Sequence, residues 1–531
     1  MSNDTKKKEL NDYLNEVDYS LLNSSDYIPS EFALTFMNFI KLVNGEEGES
    51  HKTPPFHLKM LDGLINRKQY LVNLCFRGSG KTSVYAEYLV LYLATFGSIP
   101  GFGKIEGMIY ISDTMENGVK SLRKNIQYRY NNSEFLQNWV PDAFFTDPYL
   151  EFCNKDGHRL GVKMFGALSG LRGTKIFGKR PVLAIGDDLI SDETGKSPTS
   201  MEAIKDTVYK GLNHALDPTR RKVILNGTPF NKHDIIIEAV ESGAWDVNVY
   251  PVCEKYPCTK EEFQSAWEDR FTYDFVKAQY EMAVDTGKLS AFYQELMLRI
   301  STDEERLVLD EEIRWYNRAQ LLNNKSNFNF YITTDFATSA KQTADNSVIS
   351  VWAYNHNGDW FWVDGICEKQ TMDKTIDDLF RLTSMYSPQQ VGVEVTGQQG
   401  AFIKWLQQEM MNRNIWFNFA SDSKTNEPGI RPTVDKLKRF NLVVPWFKMG
   451  KIHYPDEMKK SKIVGQHLGE ISLVTDSGIK GKDDCIDTIS MLASLKPWKP
   501  SESAPVATND SGVWDDQGSS DEPNSITSYI V

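Results

Sequence analysis

Residues 70–93 read YLVNLCFRGSGKTSVYAEYLVLYL, and the fold of the first half of the chain follows from how that stretch divides. Tyr70–Phe76 has the length and apolar character of a buried strand, and from Lys81 to Thr95 the pattern becomes helical. Between them lies Arg77-Gly78-Ser79-Gly80-Lys81-Thr82. Glycines here let backbone N–H groups turn toward a phosphate, and the helix N-terminus behind them adds partial positive charge. Lys81 can then reach the β- and γ-phosphates of a nucleotide, with Thr82 as a Mg²⁺ ligand. One position departs from the usual spacing, because Cys75 stands where the first glycine is expected. A glycine-rich strand-to-helix turn that binds nothing is the competing reading, so the loop needs a chemical partner.

Working outward, Pro181–Gly186 is an apolar strand that runs into Asp187-Asp188. Paired carboxylates at a buried strand end can divide two tasks, with Asp187 on Mg²⁺ and Asp188 polarising the attacking water. Asp188 then stands where a catalytic glutamate is more usual. A further strand, Arg221–Asn226, ends in Gly227-Thr228-Pro229, where Thr228 can sense a γ-phosphate; taken alone it reads as a turn. With strands at Gly107–Ser112 and Gly161–Phe165 and a helix over about Glu116–Tyr130, the pattern is α/β, a largely parallel sheet covered on both faces. This domain is expected to span residues 51–300, with ordered structure starting near Thr53, behind a polar segment, residues 1–50, of which Gly45–Ser50 reads as a solvated link.

The chain has 531 residues, with 59 Lys+Arg against 72 Asp+Glu, a net charge of −13. That length excludes a single small module. The acidic balance excludes a surface coated in cations for tight nucleic-acid binding and leaves room for a local basic channel. Six cysteines without a CxxC pair argue against a disulfide framework or a zinc site. No apolar run approaches the roughly 20 residues that span a bilayer, and the N-terminus lacks an apolar signal region. The expectation is a soluble, unexported protein with reduced thiols.

Residues 301–325, charged and then Asn/Lys-rich, read as a linker to a second domain at 326–496. That domain opens on three strands, Asn327–Thr334, Ser347–Tyr354 and Trp360–Ile366. It continues through helix Met372–Tyr386, strand Gln390–Val395, helix Gln399–Asn412, strand Trp416–Phe419 and helix Asp484–Ala493, a βββαβαβα order. Asp335 ends the first strand, Glu394 lies in the fourth, and Asp483 and Asp484 open the last helix. Acids from separate elements can converge to bind two Mg²⁺ about 4 Å apart for in-line attack on a phosphodiester. Asp487, a turn later, reads as a supporting residue. Each acid alone is by default a surface residue. The basic stretch from Lys424 through Lys436-Leu-Lys-Arg439 to Lys462 reads as a DNA-backbone track or a solvated face. Residues 497–531, acidic and rich in Ser and Pro, are expected to be disordered.

The order of these motifs over about Pro54–Leu495 resembles the large terminase subunit of tailed double-stranded DNA phages. PPFHLKMLDGL resembles the family's adenine-side motif, with His57 where many relatives carry Gln, and FRGSGKT resembles its Walker A variant, in which Arg77 is a signature and the first glycine is often missing. LSGLRGTKIFGKRPVLAIGDDL, NGTPFNKHD, AFYQEL and KDDCID follow in the family's order. The resemblance implies an ASCE-type P-loop ATPase domain followed by an RNase H-like nuclease domain. Its cofactors would be ATP and Mg²⁺, with Mn²⁺ as the alternative metal at the nuclease acids Asp335, Glu394 and Asp483/Asp484. It further implies ATP-driven movement of double-stranded DNA into a procapsid, a ring of five subunits on the portal, a small terminase subunit as partner, and the host cytoplasm as location. Arg172 and Arg77 are rival candidates for the arginine finger. A helicase-nuclease and a non-enzymatic portal adaptor are the competing functions.

Overall fold

A computed structural model describes residues 8–500 apart from 46–47, 49–50, 67, 192, 302–304, 337–345, 396–399, 422–425 and 433. Its first sheet contains β1 (Tyr70–Cys75), β2 (Gly107–Ser112), β3 (Asp142–Thr146), β4 (Tyr149–Cys153), β5 (Arg159–Gly166), β6 (Leu183–Asp187), β7 (Lys222–Gly227) and β8 (Asp246–Tyr250). Their order is β8-β1-β7-β6-β2-β5-β4-β3. Six strands are parallel, and β4 and β3 close one edge as an antiparallel hairpin. Every residue of β2, β6 and β7 is buried, which is why these strands read as continuous apolar runs without alternation. One strand, β7, separates the loop-bearing β1 from the Asp187-bearing β6. That is the ASCE-type order.

Register carries a polar row through this sheet. Asp187, Asn226, Asn73 and Asn248 sit opposite one another on β6, β7, β1 and β8. Asn248 donates to Asn73 at 2.9 Å, and Asn73 donates to Asn226 at 2.8 Å. The helix after the loop is π-wound over Ser83–Tyr88 and α-helical over Leu89–Phe96.

The second sheet contains β9 (Arg314–Tyr316), β10 (Asn329–Asp335), β11 (Ser347–Tyr354), β12 (Trp360–Glu368), β13 (Gln390–Val393) and β14 (Ile452–Pro455), ordered β9-β14-β12-β11-β10-β13. The first three of its main strands form an antiparallel meander, and β13 joins β10 in parallel. Of the expected strand Trp416–Phe419, Phe419 makes an isolated parallel bridge to Val391.

Three boundaries differ from the sequence reading. Ordered structure is expected from near Thr53, yet helix Glu31–Asn44 already buries Phe32, Phe36 and Phe39 against Tyr92 of the first domain. Its apolar residues recur at helical spacing, and the polar residues between them dilute the composition. Phe36→Ala is expected to cost about 3–5 kcal/mol, read as a lowered denaturation midpoint, because it opens a cavity in a fully buried aromatic cluster. Part of the expected linker, Arg314–Tyr316, pairs in parallel with β14 and forms the edge of the second sheet. The start of the expected tail is also held: Asn329 donates to the Trp498 carbonyl at 2.8 Å, and the Trp498 N–H donates to the Tyr331 hydroxyl at 3.1 Å. Residues 501–531 lie outside the described residues.

Candidate functional site

The loop between β1 and its helix takes its shape from Gly78 and Gly80, whose φ angles are +84° and +80°. A Cβ at Gly80 would stand 3.2 Å from the His57 ring. Cys75 is the buried last residue of β1, outside the positive-φ positions, so the turn does not need a glycine there. His57, expected on the adenine side, packs beneath the loop with Nε2 2.6 Å from the Ser79 carbonyl. Burial lowers its pKa to about 4, so the neutral ring donates to that carbonyl and shapes the loop. Arg77 projects outward and pairs with Glu295, whose backbone carbonyl also accepts the Arg77 N–H at 2.9 Å.

Three of the expected nucleotide-site residues, Lys81, Asp188 and Thr228, meet here. The Lys81 ammonium lies 3.1 Å from Asp188 and donates to the Thr228 hydroxyl at 3.2 Å. Thr228 in turn donates to the Cys75 carbonyl at 2.8 Å, and its N–H donates to Asp188 at 3.3 Å. Burial works against the ammonium, but Asp188 and Asp187 outweigh it and raise the Lys81 pKa. Asp187 is buried, and desolvation together with Asp188 pushes its pKa to about 7. One Asp187 oxygen accepts from Tyr110, while Oδ1 is buried without a partner. Thr82 is a near neighbour that works against this rise in the Asp187 pKa. A buried carboxylate oxygen lacking a donor, beside a threonine hydroxyl, suits a hard divalent ion such as Mg²⁺. These residues line a cleft of about 610 Å³ with Ser112, Asn125, Ser191 and Arg270, a volume in the usual range for a small-molecule site.

In the second sheet, Asp335 at the end of β10 faces Asp484 and Asp487 from helix Asp484–Ser490 and Glu394 just after β13. Burial first, then Asp487 and Asp484, raise the Asp335 pKa to about 7. Asp484 accepts from the N–H and side-chain amide of Asn346 at 3.2 and 3.1 Å. Asp487, expected to support the site, is buried among these acids. Arg439 spans it to Glu394, at 2.9 and 2.8 Å, and Lys436 reaches it at 2.7 Å. Asp483, partly exposed, pairs with Lys436 at 2.9 Å. Four carboxylates around two cations bring together oxygens of the kind hard divalent ions prefer. With Lys436 and Arg439 between them, no three of the described acids close on a common point.

The basic stretch therefore divides differently from the expected DNA track. Lys436 and Arg439 turn inward to the acids. Lys448, Lys451, Lys459, Lys460 and Lys462 pair with Glu312, Asp359, Asp285, Asp285 and Glu368. Lys424 lies outside the described residues. Glu470, absent from the sequence reading, is buried, and its Oε2 accepts the N–H groups of Cys485 and Ile486 at 2.7 and 3.1 Å. Burial and Asp484 push its pKa to about 8. No local pattern in the sequence marks it, because its partners lie 15 and 16 residues away.

A P-loop fold is joined here to a sheet of RNase H-like strand order. No protein-family model and no curated protein sequence matches the chain. Among solved structures, the HK97 bacteriophage large terminase is 12% identical, with 86% of this chain and 99% of that one covered at a TM-score of 0.34. The Thermus phage P74-26 large terminase ATPase domain is 12% identical over 51% of this chain and 98% of that one, at 0.30. The human cytomegalovirus terminase nuclease domain, soaked with Mn, is 14% identical over 37% and 94%, at 0.25.

The raised carboxylates give a pH signature. Asp335, Asp187 and Glu470 hold protons more tightly in the folded chain, so their contribution to stability is full below about pH 4 and lost as pH rises through about 7 to 8. In EDTA that contribution to the melting temperature should fall between about pH 4 and 8, and Mg²⁺ or Mn²⁺ should oppose the fall. A flat profile in EDTA would contradict the shifts.

Proposed function

We propose that this chain is an ATP-driven motor that moves double-stranded DNA into a procapsid and an endonuclease that cuts concatemeric DNA, as a phage large terminase subunit does. The observation that carries the reading is the presence of both sites in one chain: the Lys81–Asp188–Thr228 constellation at a phosphate loop, and the Asp335, Glu394, Asp484 and Asp487 cluster at an RNase H-like sheet. At the first site Lys81 leaves Asp188 to bind the β- and γ-phosphates, which frees Asp188 to orient and deprotonate water. Thr228, bonded to both, ties the nucleotide state to β7. Thr82 and Asp187 would hold Mg²⁺, which neutralises phosphate charge. At the second site the four acids would hold Mg²⁺ or Mn²⁺, which activates water and stabilises the leaving oxygen. Partners consistent with this function are a small terminase subunit and a portal carrying a ring of five copies, in the host cytoplasm.

The test is phosphate release with and without DNA, together with cutting of plasmid DNA in Mg²⁺, Mn²⁺ and EDTA. ATP hydrolysis stimulated by DNA, with cutting lost in EDTA, supports the reading. A folded protein with neither activity overturns it.

Arg172 is the trans-acting finger in this proposal. It is exposed, and its loop leaves the sheet from β5, four strands from β1, or about 19 Å at the usual strand spacing. Arg77 is committed to Glu295 instead. Mixing Arg172→Ala with Lys81→Ala protein should restore part of the DNA-stimulated ATPase at mixed interfaces. No recovery at any ratio, with assembly confirmed by light scattering, would reject Arg172.

A further inference from the structure

Helix Asp484–Ser490 begins without help from its own N-cap, since Asp483 makes no side-chain capping bond. The first N–H groups of a helix have no partner within it and need an acceptor. Here the acceptor is Glu470, whose single oxygen Oε2 takes both Cys485 and Ile486. Glu470 belongs to helix Lys462–Ser472, which also lies against the first domain. Gly465 and Gly469, four residues apart and so on one face, are the points of closest approach. A Cβ at Gly465 would stand 2.8 Å from the Tyr280 hydroxyl and 3.1 Å from Pro257. At Gly469 it would stand 2.1 Å from the Tyr293 hydroxyl and 3.0 Å from Cζ. Tyr280 also donates to the Gly465 carbonyl at 3.2 Å. One face of this helix is thus fitted to the ATPase body while the neighbouring side chain grips the helix that carries Asp484 and Asp487.

We propose that Glu470 is a positioning residue for the nuclease acids, held in place by the seat that Gly465 and Gly469 make on Tyr280 and Tyr293. This rests on the nuclease reading above. The ATPase body thereby fixes the height and direction of helix Asp484–Ser490, and the metal-binding acids answer to a contact between the two domains.

The test uses the full chain and two readouts, Mn²⁺ affinity by calorimetry and DNA cutting. Glu470→Ala should weaken Mn²⁺ binding by about 10- to 100-fold, the usual range for groups that orient metal ligands, and slow cutting in parallel while ATPase is unchanged. Glu470→Gln keeps an oxygen acceptor and should stay close to wild type. Gly469→Ala should also weaken Mn²⁺ binding, and adding Tyr293→Phe, which removes the hydroxyl at 2.1 Å, should restore part of it. Wild-type affinity in Glu470→Ala, or equal losses in the Gln and Ala variants, overturns the positioning role. Wild-type affinity in Gly469→Ala overturns the seat. If Glu470→Ala does not fold, the Gln variant and the Gly469/Tyr293 set decide by the same criteria. A wild-type chain that binds Mn²⁺ but does not cut rejects the nuclease function alone, and one that does not bind Mn²⁺ rejects both.

Discussion

Replacing Lys81 with alanine is expected to lower ATP hydrolysis by at least about 100-fold, the scale seen when one preorganised charge is removed from a transition state, and to leave metal-dependent DNA cutting intact. Lys81 is the cation that the structure aims at the phosphate loop, and both of its partners, Asp188 and Thr228, belong to the same site. Its removal leaves Asp187 and Asp188 without their neutralising charge. Asp187, already shifted to about 7 by burial and Asp188, then takes up a proton in place of losing the fold. Circular dichroism should therefore show a folded variant. Equal loss of hydrolysis and cutting in that folded protein would mean that the two sites are not chemically separate.

The second large effect is at the acids. Asp335→Asn, Glu394→Gln and Asp484→Asn should each reduce DNA cutting to background while ATPase survives, because two divalent ions held close together need several carboxylates to offset their repulsion. Asp487→Asn belongs with them, given its place between Arg439 and Lys436. Asp483→Asn should keep partial activity, since its carboxylate faces Lys436 at the rim. Plasmid relaxation and linearisation in Mn²⁺ measure all five variants. Full activity after loss of Asp335 or Glu394 would show that the metal site lies elsewhere. Equal activity of the Asp483 and Asp484 variants would show that the helix start is misassigned.

What the sequence by itself determined is local chemistry on regular elements. Strand Tyr70–Cys75, its glycine turn and Lys81-Thr82 were legible because the motif spans contiguous residues and the strand is buried on both faces, so its apolar run is unbroken. Asp187, Asp188 and Thr228 were legible as polar residues at the ends of such runs, and Asp335 likewise at the end of β10. Tertiary structure decided what those groups face. His57 looked like a nucleotide contact, but burial neutralises its ring and turns it to the Ser79 carbonyl. Lys436 and Arg439 looked like part of a DNA track, but their helix puts them beside Asp487 and Glu394, and Coulomb attraction among partly desolvated groups settles their partners. Helix Glu31–Asn44 hid in a polar segment because composition averages over its buried stripe. Glu470 could not be read at all. A helix N-terminus can take its acceptor from any residue that packing brings near, and packing is a property of the folded chain alone.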